Sequence, residues 1–154
     1  MFSREPQARA GRILPRIAFD LDETLGVPVI DGVKIAGWQL RQGCSELLAR
    51  LEPHFALCLW TVSSRRYVEK VLGYGLGQWF REVWTWDELP VQWKDIRRIG
   101  ANFLVDDSPH HREAARCHEL ADSYIVVPSY GSPEDVADPT GWVRLVESAV
   151  YGTR

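Results

Sequence analysis

The sequence predicts a doubly wound α/β fold with a mainly parallel β-sheet, and two features of the chain predict it. Four short apolar runs are continuous rather than alternating, as expected for strands that helices cover on both faces. Helical patterns lie between these runs, which is the alternation typical of α/β domains. With 154 residues, 45% hydrophobic and 25% charged, the chain has the size and composition of one soluble globular domain.

The strand predictions rest on the four apolar runs and their polar or proline endings. The four strands are Ile17–Leu21, Phe55–Trp60, Asn102–Val105 and Tyr124–Val127. A fifth short strand is predicted around Val83–Thr85, inside segment 79–93, which is rich in tryptophan. We interpret these tryptophans as core or rim packing, with a wall of a substrate site as the alternative.

Helices are predicted between the strands. In the first two, apolar residues recur at i, i+1 and i+4 and at i, i+3 and i+4, respectively, which gives each helix one face for the core. The predicted helices are Cys44–Leu51, Arg65–Leu72, Asp95–Ile99, Pro109–Leu120 and Thr140–Tyr151. Gly73 is predicted to end the second helix. The last helix is expected to turn Trp142, Leu145, Val146 and Val150 towards the core.

A small β-hairpin insertion is predicted after the first strand. Residues 26–35 are rich in valine and isoleucine, and Asp31-Gly32 is a strong signal for a two-residue turn. We expect this hairpin to project from the end of the first strand. No segment of the chain is large enough for a folded cap domain.

Charge and cysteine content limit the partners and the compartment. The 18 Lys and Arg against 21 Asp and Glu give a net charge of −3, so no global field attracts nucleic acid. The three cysteines lack CxxC spacing, which favours reduced thiols in a cytoplasmic protein. No apolar run approaches the ~18 residues of a membrane-spanning helix. We expect residues 1–15 to be a flexible basic arm and 16–154 a single domain, with a monomer compatible with the sequence.

Polar residues follow the first three predicted strands at the point where each strand ends. Asp20 and Asp22 mark the end of the first, Thr61 follows the second, and Asp106 and Asp107 follow the third. Parallel strands bring these ends to one edge of the sheet, where α/β proteins bind ligands. Carboxylates that converge there raise one another's pKa or require a cation. Mg²⁺, which combines a few carboxylates with water and substrate phosphate, is the cation that the sequence predicts.

Four motifs in this order carry a resemblance to a known family. They are Asp20-Leu21-Asp22-Glu23-Thr24-Leu25, Trp60-Thr61-Val62-Ser63, Lys94-Asp95-Ile96 and Val105-Asp106-Asp107-Ser108-Pro109. The first resembles the DxDxT signature of haloacid dehalogenase (HAD)-type phosphotransferases. Together they resemble the NIF-like small phosphatases related to RNA polymerase II C-terminal-domain phosphatases, over roughly residues 16–127. The resemblance implies a Rossmann-like sheet, and Asp107 departs from it because those relatives usually have Asn there.

The resemblance implies a catalytic role for three residues of the first motif. Asp20 would attack the phosphorus and become an aspartyl phosphate. Asp22 would protonate the leaving oxygen and then activate the attacking water. Thr24 would steady the turn that positions Asp22.

The resemblance also implies a phosphate site and a metal site. The residues implied to bind the substrate phosphate are Thr61, Val62 and Lys94, and Thr61 and Lys94 are also implied to be catalytic. The residues implied to hold Mg²⁺ are Asp20, Asp22 through its backbone carbonyl, Asp106 and Asp107. Asp107 would act through water or orient another ligand.

The predicted function is therefore Mg²⁺-dependent hydrolysis of a phosphomonoester, on a phosphoprotein or another bulky substrate. The alternatives are a polynucleotide 3′-phosphatase, a sugar or nucleotide phosphatase, and a phosphate-binding scaffold without catalysis. A zinc site at His110, His111 and His118 is disfavoured, because these histidines lack matched Cys or His partners.

Overall fold

The computed structural model describes residues 13–152. The predicted basic arm over residues 1–15 lies outside the described residues except for 13–15, which form neither helix nor strand. The expectation that the arm is flexible stays a prediction.

A five-stranded parallel sheet forms the centre of the fold. Its strands are β1 (Arg16–Phe19), β4 (Ala56–Trp60), β5 (Glu82–Trp84), β6 (Phe103–Asp106) and β7 (Tyr124–Val126). The strands β2 (Gly26–Asp31) and β3 (Lys34–Leu40) form a separate antiparallel hairpin. The sheet order is β5-β4-β1-β6-β7, and β1 pairs in parallel with both β4 and β6. The strand order reverses at β1, so the carboxyl ends of β1, β4 and β6 frame a crevice of the kind that binds ligands.

Helices cover both faces of this sheet, as the predicted fold class requires. The α-helices are α1 (Cys44–Leu51), α2 (Arg65–Leu72), α3 (His110–Arg116), α4 (Pro133–Ala137) and α5 (Gly141–Tyr151). Short 3₁₀ turns lie at Leu76–Gln78, Ile96–Ile99 and Ala121–Ser123. The bounds of α1 and α2 agree with the sequence prediction, and Gly73 caps the end of α2. Residues 95–99 form a 3₁₀ turn capped by Asp95 rather than an α-helix.

The hairpin forms as predicted, but its turn lies one residue further along the chain. Asp31 pairs with Lys34, so the two turn residues are Gly32 and Val33 instead of Asp31 and Gly32. Gly32 has φ 62°, the positive value that a two-residue hairpin turn with glycine in its first position requires. The second strand extends to Leu40, beyond the predicted end. Within residues 13–152, no separate cap domain covers the sheet.

Two further predicted helices differ from the structure. The helix predicted over 109–120 ends at Arg116, because Glu119 takes the left-handed conformation at φ 59° and breaks the pattern. In α5, the prediction that Leu145 faces the core was wrong: its side chain is 46% exposed, while Val143 is buried. Leu145 instead lines a groove beside Pro128 and Glu134.

The short helix α4 was not predicted. Ser132 accepts a hydrogen bond from the Asp135 backbone N–H, and Pro133 occupies the first turn. This Ser-Pro start is a recognised signal for a helix N-terminus, but the helix is too short to show apolar periodicity.

A buried ion pair ties α4 to the loop that follows β1. Arg41, only 1% exposed, donates from its guanidinium to Asp135 Oδ1 at 2.9 Å. The same guanidinium donates to the carbonyls of Thr24 at 3.2 Å and Pro128 at 2.6 Å. The Trp142 ring lies 4.8 Å from the guanidinium carbon. One arginine thus holds the loop of the first motif, the segment after β7, and α4 together.

We expect Asp135→Ala to lower the free energy of unfolding by about 3–5 kcal/mol, because it leaves the Arg41 charge buried without its carboxylate. Denaturant unfolding followed by circular dichroism measures the change. The control is Glu113→Ala, which removes the partner of Arg116 from a pair whose side chains are 66% and 60% exposed. That loss should be below about 1 kcal/mol. Equal losses in the two variants would contradict a stabilising role for the buried pair.

Candidate active site

The carboxyl ends of three strands bring polar side chains to the crevice at β1. Asp20 directly follows β1, and its backbone N–H bonds to the Val105 carbonyl at 2.9 Å. Thr61 directly follows β4, and its backbone N–H bonds to the Trp84 carbonyl at 3.0 Å. Asp106 is the last residue of β6. The sheet hydrogen bonds therefore fix the backbones from which these side chains extend.

Lys94 connects two of the carboxylates. Its Nζ lies 2.8 Å from Asp20 Oδ1 and 2.8 Å from Asp106 Oδ2, and the residue is 1% exposed. Burial opposes the charge on Lys94, but the two carboxylates raise the pKa of its ammonium above the ordinary value. The lysine therefore stays protonated and holds Asp20 in a fixed orientation.

Three carboxylates form a compact acidic cluster around this lysine. Asp20, Asp106 and Asp107 each offer an oxygen within 4.8 Å of the others. Burial raises the pKa of Asp20, an effect that Lys94 opposes and the two neighbouring carboxylates reinforce. When all three carboxylates are ionised, the cluster has three negative charges and Lys94 contributes one positive charge, so the site has two negative charges in excess. An all-oxygen donor set with this charge excess fits a hard divalent cation.

Thr24 joins Asp20 to Asp107. The Thr24 side chain is fully buried, and its Oγ1 lies 3.2 Å from Asp20 Oδ2 and 3.1 Å from Asp107 Oδ1. The Asp107 backbone N–H donates to the same hydroxyl at 3.0 Å. The hydroxyl has one proton, so it donates to only one of these carboxylates at a time, although both lie within hydrogen-bond distance.

Asp22 points away from the acidic cluster, towards the start of α2. Its carboxylate accepts a hydrogen bond from Ser63 Oγ at 3.2 Å and another from the Tyr67 hydroxyl. The adjacent Glu23 has φ 63°, which turns the chain sharply after Asp22. The two aspartates of the first motif therefore face different groups, although one residue separates them.

Two neighbouring side chains of the second motif, Thr61 and Val62, differ in exposure. Thr61 is 2% exposed and its Oγ1 accepts from the Ser63 backbone N–H at 3.1 Å, whereas Val62 is 54% exposed. Ser64 caps α2 by accepting from the Tyr67 N–H. Arg65 is held by Glu88 and by the Val83 carbonyl rather than by a group of the crevice.

The family model of the NLI interacting factor (NIF)-like phosphatases matches residues 15–136. The chain belongs to this family. The resemblance to the NIF-like phosphatases that the four motifs carry is thereby confirmed. The match includes all four motifs, so the family assignment holds although Asp107 stands where Asn is usual.

Several solved structures are similar in fold to this chain, at low sequence identity. The RNA polymerase II CTD phosphatase Fcp1 shares 16% identity over 90% of this chain and 49% of its own, with a TM-score of 0.59. A fission yeast Fcp1 variant bound to beryllium fluoride shares 16% over 77% and 42%, with a TM-score of 0.53. A HAD-like hydrolase from Xanthomonas campestris shares 14% over 90% and 97%, with a TM-score of 0.58.

These similarities establish the fold alone. The phosphatase spans about half the length of the Fcp1 structures that it matches. No curated protein sequence matches it significantly. Within residues 13–152, none of the helices is long and apolar enough to cross a membrane.

Several residues around the crevice escaped the sequence prediction. Tyr67 and Ser63 bind Asp22, Ser129 donates to Asp107 Oδ2 at 2.7 Å, and the Lys94 backbone N–H donates to His111 Nδ1 at 2.9 Å. Burial lowers the pKa of His111 to about 4, so its ring is neutral. Two of these residues had a sequence signal: Ser63 belongs to the second motif, and Ser129 comes directly after the fourth predicted strand and Pro128.

The three histidines considered for zinc do not come together. His110 bonds to the Gln92 carbonyl at 2.9 Å, and His118 stacks on Trp93 at 5.5 Å between ring centroids. Among the residues that the structure describes, the acidic cluster is the only group of three or more potential metal ligands.

We expect Lys94→Met to lower the free energy of unfolding of the metal-free phosphatase by at least about 3 kcal/mol at neutral pH. The substitution leaves the buried Asp20 and Asp106 carboxylates without their cation. Urea unfolding in the presence of a chelator measures the loss. Lys70→Met, on the exposed side of α2, is the control and should stay within about 1 kcal/mol. Full stability of Lys94→Met would show that the ammonium does not hold the carboxylates together.

Proposed function

We propose that this phosphatase hydrolyses phosphomonoesters in a Mg²⁺-dependent reaction, with Asp20 as the nucleophile. One observation carries the proposal: Asp20 is held by Lys94 and Thr24, while Asp22 turns to the opposite side of the crevice with its own hydroxyl partners. Two carboxylates held by separate sets of partners can perform different chemistry.

In the first step, an Asp20 oxygen attacks phosphorus, and the bond between phosphorus and the leaving oxygen breaks. Protonated Asp22 gives its proton to that oxygen, so the product leaves as a neutral alcohol. In the second step, Asp22 takes a proton from a water molecule whose oxygen attacks the aspartyl phosphate. The bond between Asp20 and phosphorus breaks, and inorganic phosphate leaves.

The substrate phosphate would be bound by three residues at the strand ends. The Lys94 ammonium would face the phosphoryl oxygens, and the Thr61 hydroxyl and Val62 backbone N–H would donate to them. The buried lysine stabilises negative charge strongly because little water screens it. Thr24 would keep Asp20 oriented for attack.

The residues proposed to hold Mg²⁺ are the carboxylates of Asp20 and Asp106, the backbone carbonyl of Asp22, and Asp107. When bound, the ion would neutralise negative charge shared by the carboxylates and the phosphate. Both Asp107 oxygens have a hydroxyl partner, Thr24 on one side and Ser129 on the other. These bonds favour an orienting role for Asp107 over direct coordination.

We propose a phosphoprotein as the substrate. The absence of a cap domain from residues 13–152 favours a bulky substrate. Val62 and Trp86, 54% and 49% exposed, add apolar surface at the second motif, since the Trp86 N–H bonds to the Ser63 carbonyl. The net charge of −3 disfavours a nucleic acid. Fcp1, which shares the fold, is an RNA polymerase II CTD phosphatase, and this supports a protein substrate by analogy.

A cytoplasmic location belongs to the same proposal. All three cysteines are free, which is compatible with a reducing compartment.

We expect Asp20→Asn to reduce Mg²⁺-dependent hydrolysis of an aryl phosphate by at least about 10³-fold, because an amide cannot form the aspartyl phosphate. Steady-state kinetics with and without Mg²⁺ provide the measurement. The matched control is Asp31→Asn in the exposed strand β2, which should keep wild-type kcat. Substantial turnover by Asp20→Asn would exclude Asp20 as the nucleophile, and an inactive wild type would favour a phosphate-binding scaffold.

We expect kcat/KM for a phosphoserine peptide to exceed that for a 3′-phosphorylated oligonucleotide by at least about tenfold at physiological salt, because the protein and the oligonucleotide are both negatively charged. Phosphate release from the two substrates at equal concentration measures the ratio. A preference for the oligonucleotide that decreases as salt increases would instead identify a polynucleotide 3′-phosphatase.

A further inference from the structure

Lys94 depends on two distant side chains to fix its backbone. It lies in the loop before the 3₁₀ turn Ile96–Ile99, outside every strand of the sheet. Its N–H donates to His111 Nδ1 at 2.9 Å, and its carbonyl accepts from the Tyr124 hydroxyl at 2.7 Å. The peptide groups on both sides of this residue are therefore held by side chains rather than by strand pairing.

His111 is itself held in a defined orientation. It is the second residue of α3, shortly after Asp106, and is 8% exposed. Because Nδ1 accepts the Lys94 N–H, the proton of the neutral ring is on Nε2. Nε2 lies 3.6 Å from Asp106 Oδ2, which is longer than a hydrogen bond but places the N–H towards a negative charge. The bond to Lys94 is thus the short, directional contact of the ring.

We propose that His111 is a positioning residue for the reaction, and that it acts by fixing the Lys94 backbone through Nδ1. This inference rests on the proposed function, in which the Lys94 ammonium faces the phosphate. A lysine side chain has four rotatable bonds, so Nζ stays within 2.8 Å of both Asp20 and Asp106 only if the backbone position is defined. A shift of about 1 Å in a charged group can cost about 10²-fold in rate.

The test compares two amides at position 111. The Asn amide occupies the place of imidazole Nδ1, and its oxygen can accept the Lys94 N–H. The Gln amide reaches the place of Nε2 instead and leaves the Lys94 N–H without an acceptor. We expect His111→Asn to keep kcat for an aryl phosphate within about threefold of wild type, and His111→Gln to lose at least about tenfold.

Two further readouts separate positioning from a purely structural role. Amide hydrogen exchange of Lys94, followed by NMR, should stay slow in wild type and His111→Asn and become faster in His111→Gln. In a Lys94→Met background, His111→Gln should cause no additional loss of kcat, because residues that act as one unit are not additive. The control is His54→Asn at an exposed position in the turn after α1, which should match wild type.

Equal kcat values for His111→Asn and His111→Gln, or slow Lys94 exchange in both, would overturn the proposal. If His111→Gln does not fold, loss of slow Lys94 exchange in the folded His111→Asn variant overturns it and its retention supports it. Failure of the proposed function appears separately, as an inactive wild type. In that case the exchange rates of the Lys94 amide still decide whether His111 fixes this backbone.

Discussion

The burial of the Lys94 ammonium between Asp20 and Asp106 is the constraint on which the rest of the site depends. A buried charge is tolerated only where opposite charges and hydrogen bonds compensate for the lost water. The sheet supplies the carboxylates, because β1 and β6 are neighbours and both end at the same edge. A loop supplies the lysine, so its position must be secured by contacts outside the sheet.

The hydrogen bonds around the cluster follow from this constraint. Thr24 and Ser129 are hydroxyl donors to carboxylates, and His111 and Tyr124 satisfy the Lys94 peptide. Removal of Thr24, His111 or Tyr124 would leave a buried polar group without one of its partners, which is costly in a region of low dielectric. The groups of the site are therefore held in fixed orientations in advance, as the proposed electrostatic stabilisation of a transition state requires.

The sequence predicted those site residues that lie directly at the ends of recognisable apolar strands. The apolar runs located the strands of the central sheet, and the residues after them identified Asp20, Thr61 and Asp106 as neighbours. Lys94 could be placed only through the family resemblance, because a single lysine in a loop has no periodicity. The contacts of Tyr67 and His111 depend on side-chain orientations in three dimensions. The turn at Gly32-Val33 and the exposure of Leu145 were missed because local propensity does not determine register or the exact face of a helix.

The Arg41 contacts have a consequence for the order in which the protein matures. Arg41 and Asp135 are 94 positions apart, and the Thr24 carbonyl in the first motif is one of the groups that the arginine holds. During synthesis, residues 20–24 leave the ribosome long before Asp135 does. Until α4 emerges, the guanidinium lacks its carboxylate, and the loop of the first motif lacks one of its supports. A nascent chain that already contains all four motifs therefore still lacks one support of the first-motif loop, and this loop is completed only after Asp135 has been synthesised.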